Sequence, residues 1–316
     1  MTQLDDNTMS QTIDSVHDEI EIDLFEFLNI FWARKILIIA LTLISCVLSV
    51  LYALSLPNIY ESSATLAAQE QIGGAGGPST GVLSGIASMA GVDLSADADK
   101  IQHGIEIMNS YNFIETFIKK HDLLVPLMAA TGWDREKNQL ILNPKLYDSE
   151  SKQWIRKPSP TQASKPSLQE AHRRFLEMTD IKQDKRTRLI SVSIESFSPY
   201  LAKEWVGLMI EDINGLMRDK DIAQAQKSIN YLSNEIGNTT FAEVKTALSD
   251  LIQSQTRTIM VAESTNEYVF QTLDPAYASE YKLKPKRAII CIIGAIMGFI
   301  FSLGSALIVN KFRPIT

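Results

Sequence analysis

The chain has 316 residues, 45% hydrophobic and 21% charged, with a formal net charge of −7. Its apolar residues are concentrated in two runs without a charged side chain, 36–56 (ILIIALTLISCVLSVLYALSL) and 288–309 (AIICIIGAIMGFIFSLGSALIV), each long enough as a helix to cross the hydrocarbon of a bilayer. That distribution excludes a soluble globular protein. Both cysteines, Cys46 and Cys291, lie inside these runs, which excludes a disulfide framework, zinc ribbons and thiol chemistry in the remainder.

Taken in chain order, residues 1–22 are acidic and polar and are expected to form a disordered cytoplasmic tail. Asp23-Leu-Phe-Glu26 is a capping pattern that opens an interfacial helix over 23–35, with Leu24, Phe27, Leu28, Phe31 and Trp32 on its apolar face. The first transmembrane helix follows at 36–56; it starts too far in, behind an acidic tail, for a cleaved signal peptide. Arg34 and Lys35 precede it directly, which places the N-terminus inside. Lys311 and Arg313 agree. Lys282, Lys284, Lys286 and Arg287 oppose this orientation, but long domains are translocated largely regardless of charge. Residues 57–287 are therefore expected to face outward as a periplasmic domain, followed by transmembrane helix 288–309 and a cytoplasmic tail, 310–316. The outward domain carries 29 acidic against 26 basic residues, a balance that excludes nucleic acid as a partner.

Within the domain, alternation over Tyr60–Ala68 predicts a strand. Gly73–Gly77 with the following Pro-Ser-Thr-Gly reads as a linker, since it lacks the lysine of a phosphate-binding loop. Helical patterns follow at 82–90 and 103–121, the latter through Ile105, Met108, Phe113 and Phe117. Residues 131–167 read as a long irregular region with four prolines. Leu168–Met178 reads as a short helix, and Thr187–Ser196 alternates strictly through Ile190, Val192 and Ile194 as a strand. Ser198-Pro199 starts a helix by capping. Leu201, Trp205, Leu208 or Met209, Ile213 and Leu216 continue one face, and Ile222, Ala225, Ile229, Leu232 and Ile236 extend it to Gly237-Asn238, about 57 Å in all. A second helix from about Thr240 carries Phe241, Val244, Leu248, Leu251 and Ile259, making a helical hairpin over about 199–263. Such a hairpin should project beyond the domain's core and associate with copies of itself. Tyr268–Leu273 reads as a returning strand, so the sheet should lie close to the membrane.

Few residues carry chemistry. Glu211 and Asp212 could be imagined as a glycosidase couple, but nothing isolates them from the solvated helix faces around them. No nucleophile elbow and no His-Glu-x-x-His helix occur, and the histidines at 17, 103, 121 and 172 include no helical metal pair. No catalytic residue, cofactor or metal site is expected. Asn238-Thr-Thr240 fits a glycosylation acceptor, although a capping role suits a helix end better. The residues expected to act do so in assembly: Ile222, Ile229, Leu232, Ile236, Leu248 and Leu251 in the hairpin, and Gly294, Gly298 and Ser302 in the second span. The last three, continued by Ala306, form a small-residue stripe on which another helix can approach closely.

EIDLFEFLNIFWARK at 21–35, GVLSGIASMAGVDL at 81–94, EIMNSYNFIETFIKKHDLL at 106–124, SVSIESFSPYLAKEWVGLMIEDIN at 191–214 and EYVFQTLDPA at 267–276 stand in that order before KPKRAII and the glycine-striped span. In these stretches the chain resembles the Wzz-type chain-length determinants, the polysaccharide co-polymerases of bacterial envelopes. The resemblance covers nearly the whole chain except 131–167. It implies an α+β fold: two transmembrane helices flanking a periplasmic domain with a membrane-proximal α/β base and projecting long helices. It also implies a bacterial inner-membrane homo-oligomer that sets the modal length of O-antigen or a related polysaccharide. Its partners would be a separate inner-membrane polymerase and the growing lipid-linked polysaccharide. Some relatives carry a cytoplasmic kinase; ending at Thr316, this chain is expected to belong to the kinase-less branch. The runner-up expectation is a two-span envelope sensor or adaptor with a periplasmic ligand domain, and a membrane-anchored glycan hydrolase comes third.

Overall fold

The structure, a computed structural model, describes residues 32, 34–69, 96–158 and 163–312. The expected acidic tail, most of the interfacial helix, the glycine-rich linker and the helix at 82–90 lie outside the described residues. The chain divides into two compact units, Met1–Leu56 with Lys286–Thr316, and Pro57–Pro285.

In the first unit, α1 (Lys35–Ser55) packs antiparallel on the last helix of the chain, Arg287–Phe312. The contact is built from small residues and hydroxyls. Ser45 Oγ donates to the Gly294 carbonyl at 2.9 Å and Ser49 Oγ to that of Ile290 at 3.0 Å, while the Thr42 and Ser302 hydroxyls lie 3.4 Å apart. A Cβ added at Gly294 would collide with Ser49, and one at Gly298 with Ser45. With no water to drive apolar association, close backbone approach and such hydrogen bonds are what join helices in lipid.

The second unit is a four-stranded antiparallel sheet covered on one face by helices. β1 (Tyr60–Ala68) lies in the centre. The elements after it are α2 (Ala96–Met108), α3 (Tyr111–Lys120) and α4 (Leu124–Met128), then the small strands β2 (Ala130–Asp134), β3 (Gln139–Leu142), β4 (Tyr147–Asp148) and β5 (Gln153–Trp154). Next come α5 (Leu168–Met178), β6 (Thr179–Gln183), β7 (Ile190–Ser196), α6 (Pro199–Asn238), α7 (Ala242–Ser264) and β8 (Phe270–Asp274). The span Arg287–Phe312 is then α8. The sheet runs β6-β7-β1-β8. Register sets Ala64 opposite Val192 and Leu66 opposite Ile190, so the apolar residues of both strands share the face that α6 covers. Phe117, Phe175, Trp205, Met209 and Ile213 complete the core; burying a side chain of this size contributes about 1.5–3 kcal/mol.

Several local readings change. The helix expected over 103–121 is two helices, because Ser110 caps α3 by accepting from the Phe113 amide at 3.3 Å. The region 131–167 is not irregular throughout: it holds two β-hairpins, β2-β3 and β4-β5. Asp134 closes the first turn by accepting from the amides of Glu136 and Lys137. Tyr147 packs edge-on against Trp154 at 5.1 Å in the second, the kind of cross-strand pair that holds a short ladder. β6 has no apolar alternation to announce it, and exists because it pairs with β7.

α6 is 40 residues long. Its first half is buried through Met217; beyond that point Ala225 alone is buried among its described residues. The second half of α6 and α7 pack on each other outside the core. α6 continues through Gly237 to Asn238 and is capped at Thr239, since an interior glycine weakens a helix without stopping it. In α7 the inward row is Leu248, Ile252, Ile259 and Ala262. Leu251, expected on the seam, is 51% exposed, because the inward row runs from Leu248 through Ile252, Gln255, Ile259 and Ala262 in alternating steps of four and three.

Candidate functional site

The residues proposed for assembly separate in the structure. Ile222 packs against the main core; Ile229, Leu232, Ile236 and Leu248 are half-buried along the hairpin; Leu251 faces out. Gly294, Gly298 and Ser302, expected to receive a helix of another copy, face α1 of the same chain, and Ser302 is fully buried there. The small-residue stripe is thus covered within the chain. What the hairpin leaves open instead is a second set of apolar side chains, among them Tyr231, Phe241, Val244, Leu251 and Met260.

Sequence reasoning did not single out Asn214. On the buried face of α6, 3% exposed, its side-chain oxygen accepts from the amides of Val269 and Phe270 at 2.8 and 2.9 Å, and its nitrogen donates to the Phe270 carbonyl at 2.9 Å. One amide therefore satisfies three backbone groups where edge strand β8 meets the helix. Nearby, Tyr268 donates to Asp221 at 2.8 Å, and Lys100 pairs with that carboxylate at 2.7 Å while lying over the tyrosine ring. Burial raises the Tyr268 phenol above its ordinary value, with the Asp221 hydrogen bond adding to the rise and Lys100 opposing it.

Between α3, α6 and residues 266–276 lies a groove of about 850 Å³. Asn112, Thr116 and Lys120 line it from α3, and Gly207, Glu211, Gly215 and Asp219 from α6. At its edge Asp212 accepts from Lys120 at 2.6 Å and pairs with His121 Nε2 at 2.9 Å. That hydrogen bond raises the Lys120 ammonium above its ordinary value. Glu211 and Asp212 therefore do not act as a carboxylate couple: one is held by Lys120 and His121, and the other is exposed on the groove wall. Among the described residues no group of three His, Cys, Asp or Glu side chains is placed to hold a metal ion.

Residues 20–121 match the family model Wzz, chain length determinant protein. Over these residues the chain is similar to the Wzz family. The Wzz segment includes α1, β1, α2 and α3, and hence the α3 wall of the groove; the α6 wall lies outside it. α1 and α8 are both long and apolar enough to cross a membrane, and with the Wzz segment they make this a membrane protein. No curated protein matches the chain. Among solved structures it is similar to a full-length bacterial polysaccharide co-polymerase, at 14% identity over 92% of this chain and 98% of that one, with a TM-score of 0.40. It is also similar to a fragment of WzzB, a polysaccharide co-polymerase from Salmonella Typhimurium, at 10% identity over 72% of this chain and 100% of that one, with a TM-score of 0.30.

Proposed function

We propose that this protein is a non-enzymatic regulator of the modal chain length of O-antigen or a related surface polysaccharide. The observation that carries the reading is the Wzz match over residues 20–121. In this reading the protein sits in the bacterial inner membrane with both termini cytoplasmic, as Arg34 and Lys35 before the first span favour. Residues 57–287 lie in the periplasm, where a separate polymerase extends the lipid-linked glycan. Copies assemble into a scaffold for that polymerase. Ile229, Leu232, Ile236 and Leu248 hold the hairpin's own seam, and the exposed row containing Leu251 meets the neighbouring copy. Exposed apolar side chains repeated along a hairpin that leaves the core support this arrangement.

The test is the length profile of surface polysaccharide on a gel, from cells lacking the protein and from cells with it restored. The expected result is a modal cluster that disappears and returns. An unchanged ladder would count against the reading.

A further inference from the structure

The groove wall on α6 contains a feature that the fold does not require. Gly207, Glu211, Gly215 and Asp219 recur every four residues along one face. A Cβ on either glycine would meet nothing within 4 Å. Glycine inside a helix is less stable than alanine, and no neighbour here needs the space. The two glycines instead leave bare backbone on either side of Glu211, Gly207 one turn before it and Gly215 between it and Asp219, where a ligand can approach closely.

The chemistry of the groove narrows the ligand. Among the described residues, the side chains of Asn112, Glu211 and Asn266 have no hydrogen-bond partner, so donors and acceptors stand open together. The two cations lining the groove, Lys120 and Arg218, face four carboxylates, Glu211, Asp212, Asp219 and Glu267; that balance repels a polyanion or a phosphate. The exposed apolar lining is Leu216, at 44%, and Pro275, while Phe113 and Phe117 beneath are 5% and 1% exposed; apolar surface interrupted in this way by polar side chains suits a sugar better than a lipid or an apolar peptide. Hydroxyl groups both donate and accept, and a ligand rich in them suits walls of mixed amides, carboxylates and hydroxyls. The volume lies within the range of small-ligand clefts, about 300–1,000 Å³.

We infer that the groove between α3 and α6 binds an uncharged saccharide segment, with Glu211, Asn112 and Asn266 as hydrogen-bonding partners and the Gly207–Gly215 trough admitting the sugar ring. This rests on the chain-length reading, and gives the protein a direct hold on the glycan.

The test uses full-length protein in nanodiscs. The probes are delipidated oligosaccharides of one to six repeat units, released from the surface polysaccharide of the producing cells, with oligogalacturonate as an anionic comparison. Binding is read by saturation-transfer NMR and calorimetry. The wild type is expected to bind the native oligosaccharides and not oligogalacturonate. Gly207→Phe and Gly215→Gln fill the trough and should weaken binding at least tenfold, with an unfolding temperature equal to or above that of the wild type. Glu211→Ala and Asn266→Ala, at surface positions, should weaken it several-fold. No binding by the wild type, preference for oligogalacturonate, or unchanged affinity in all four variants would overturn the inference. If the modal cluster depends on the protein while no oligosaccharide binds, the groove assignment falls and the chain-length reading stands. If groove-dependent binding is found in cells whose ladder ignores the protein, the chain-length reading falls and the groove assignment stands.

Discussion

Asn214 is the residue on which the junction of α6 with β8 depends. Replacing it by alanine leaves the amides of Val269 and Phe270 and the Phe270 carbonyl without this partner in a buried place. Each buried polar group so stranded costs about 1–3 kcal/mol. Asn214→Ala is therefore expected to destabilise the protein by roughly 3 kcal/mol, read as a lowered unfolding temperature of the detergent-solubilised protein. Glu170 offers a second test, in pH. It closes a capping box with Ser167 at the start of α5 and accepts from Arg156 at 2.7 Å. The Arg156 hydrogen bond holds its carboxyl below the ordinary value. Because the folded value is the lower one, this stabilisation is full above the unfolded carboxyl pKa, about 4.3, and is lost as pH falls through the folded value. Glu170→Gln should unfold at a lower temperature than the wild type at pH 7, and the difference should shrink as the pH drops below about 4.

The span pair and the hairpin show how differently elements reveal their partners. A four-residue stripe of small side chains was legible in the second span, and so was its purpose of close helix approach. Its partner was not, because Ser45, Ser49 and Thr42 look like incidental polar residues in an apolar run until α1 and α8 are paired. A pair of cysteines at Thr42 and Ser302, whose hydroxyls are 3.4 Å apart, should cross-link within one chain on mild oxidation. Adding Gly298→Val, whose side chain collides with Ser45, is expected to lower the cross-linked fraction several-fold on a denaturing gel. In the hairpin, α7 carries apolar residues on more than one face, so periodicity alone admitted Leu251 to the seam. Packing against α6 chose Leu248, Ile252 and Ile259 instead. The break between α2 and α3 turns on the single hydroxyl of Ser110, a signal visible in the sequence but outweighed there by the continuous apolar spacing.

At the scale of the whole molecule, the seam and the open face predict different failures. Ile229→Asp with Leu232→Asp places two carboxylates on the half-buried hairpin seam. This variant should lose helical content by circular dichroism together with oligomer and modal length. Leu251→Asp with Met260→Asp changes side chains that are 51% and 65% exposed. This second variant should keep its helical content, sediment as a smaller species, and broaden the polysaccharide length distribution. A second variant that keeps the oligomer of the wild type would remove the exposed row from the assembly surface.

Elements whose signal is local were legible along the chain: two uncharged apolar runs, the central strands with strict alternation, and a long capped helix followed by a second. These follow from periodicity, capping and transfer free energy, each complete within a few turns of chain. Tertiary structure alone decided everything that depends on a distant partner. β6 exists by pairing with β7; Asn214 matters because β8 returns beside it; the groove forms because α3 and α6, separated in sequence by α4, α5 and six strands, present polar faces to one another. The glycines at 207 and 215 stood in plain view within a helix, but their meaning as open space needed the neighbours that are not there.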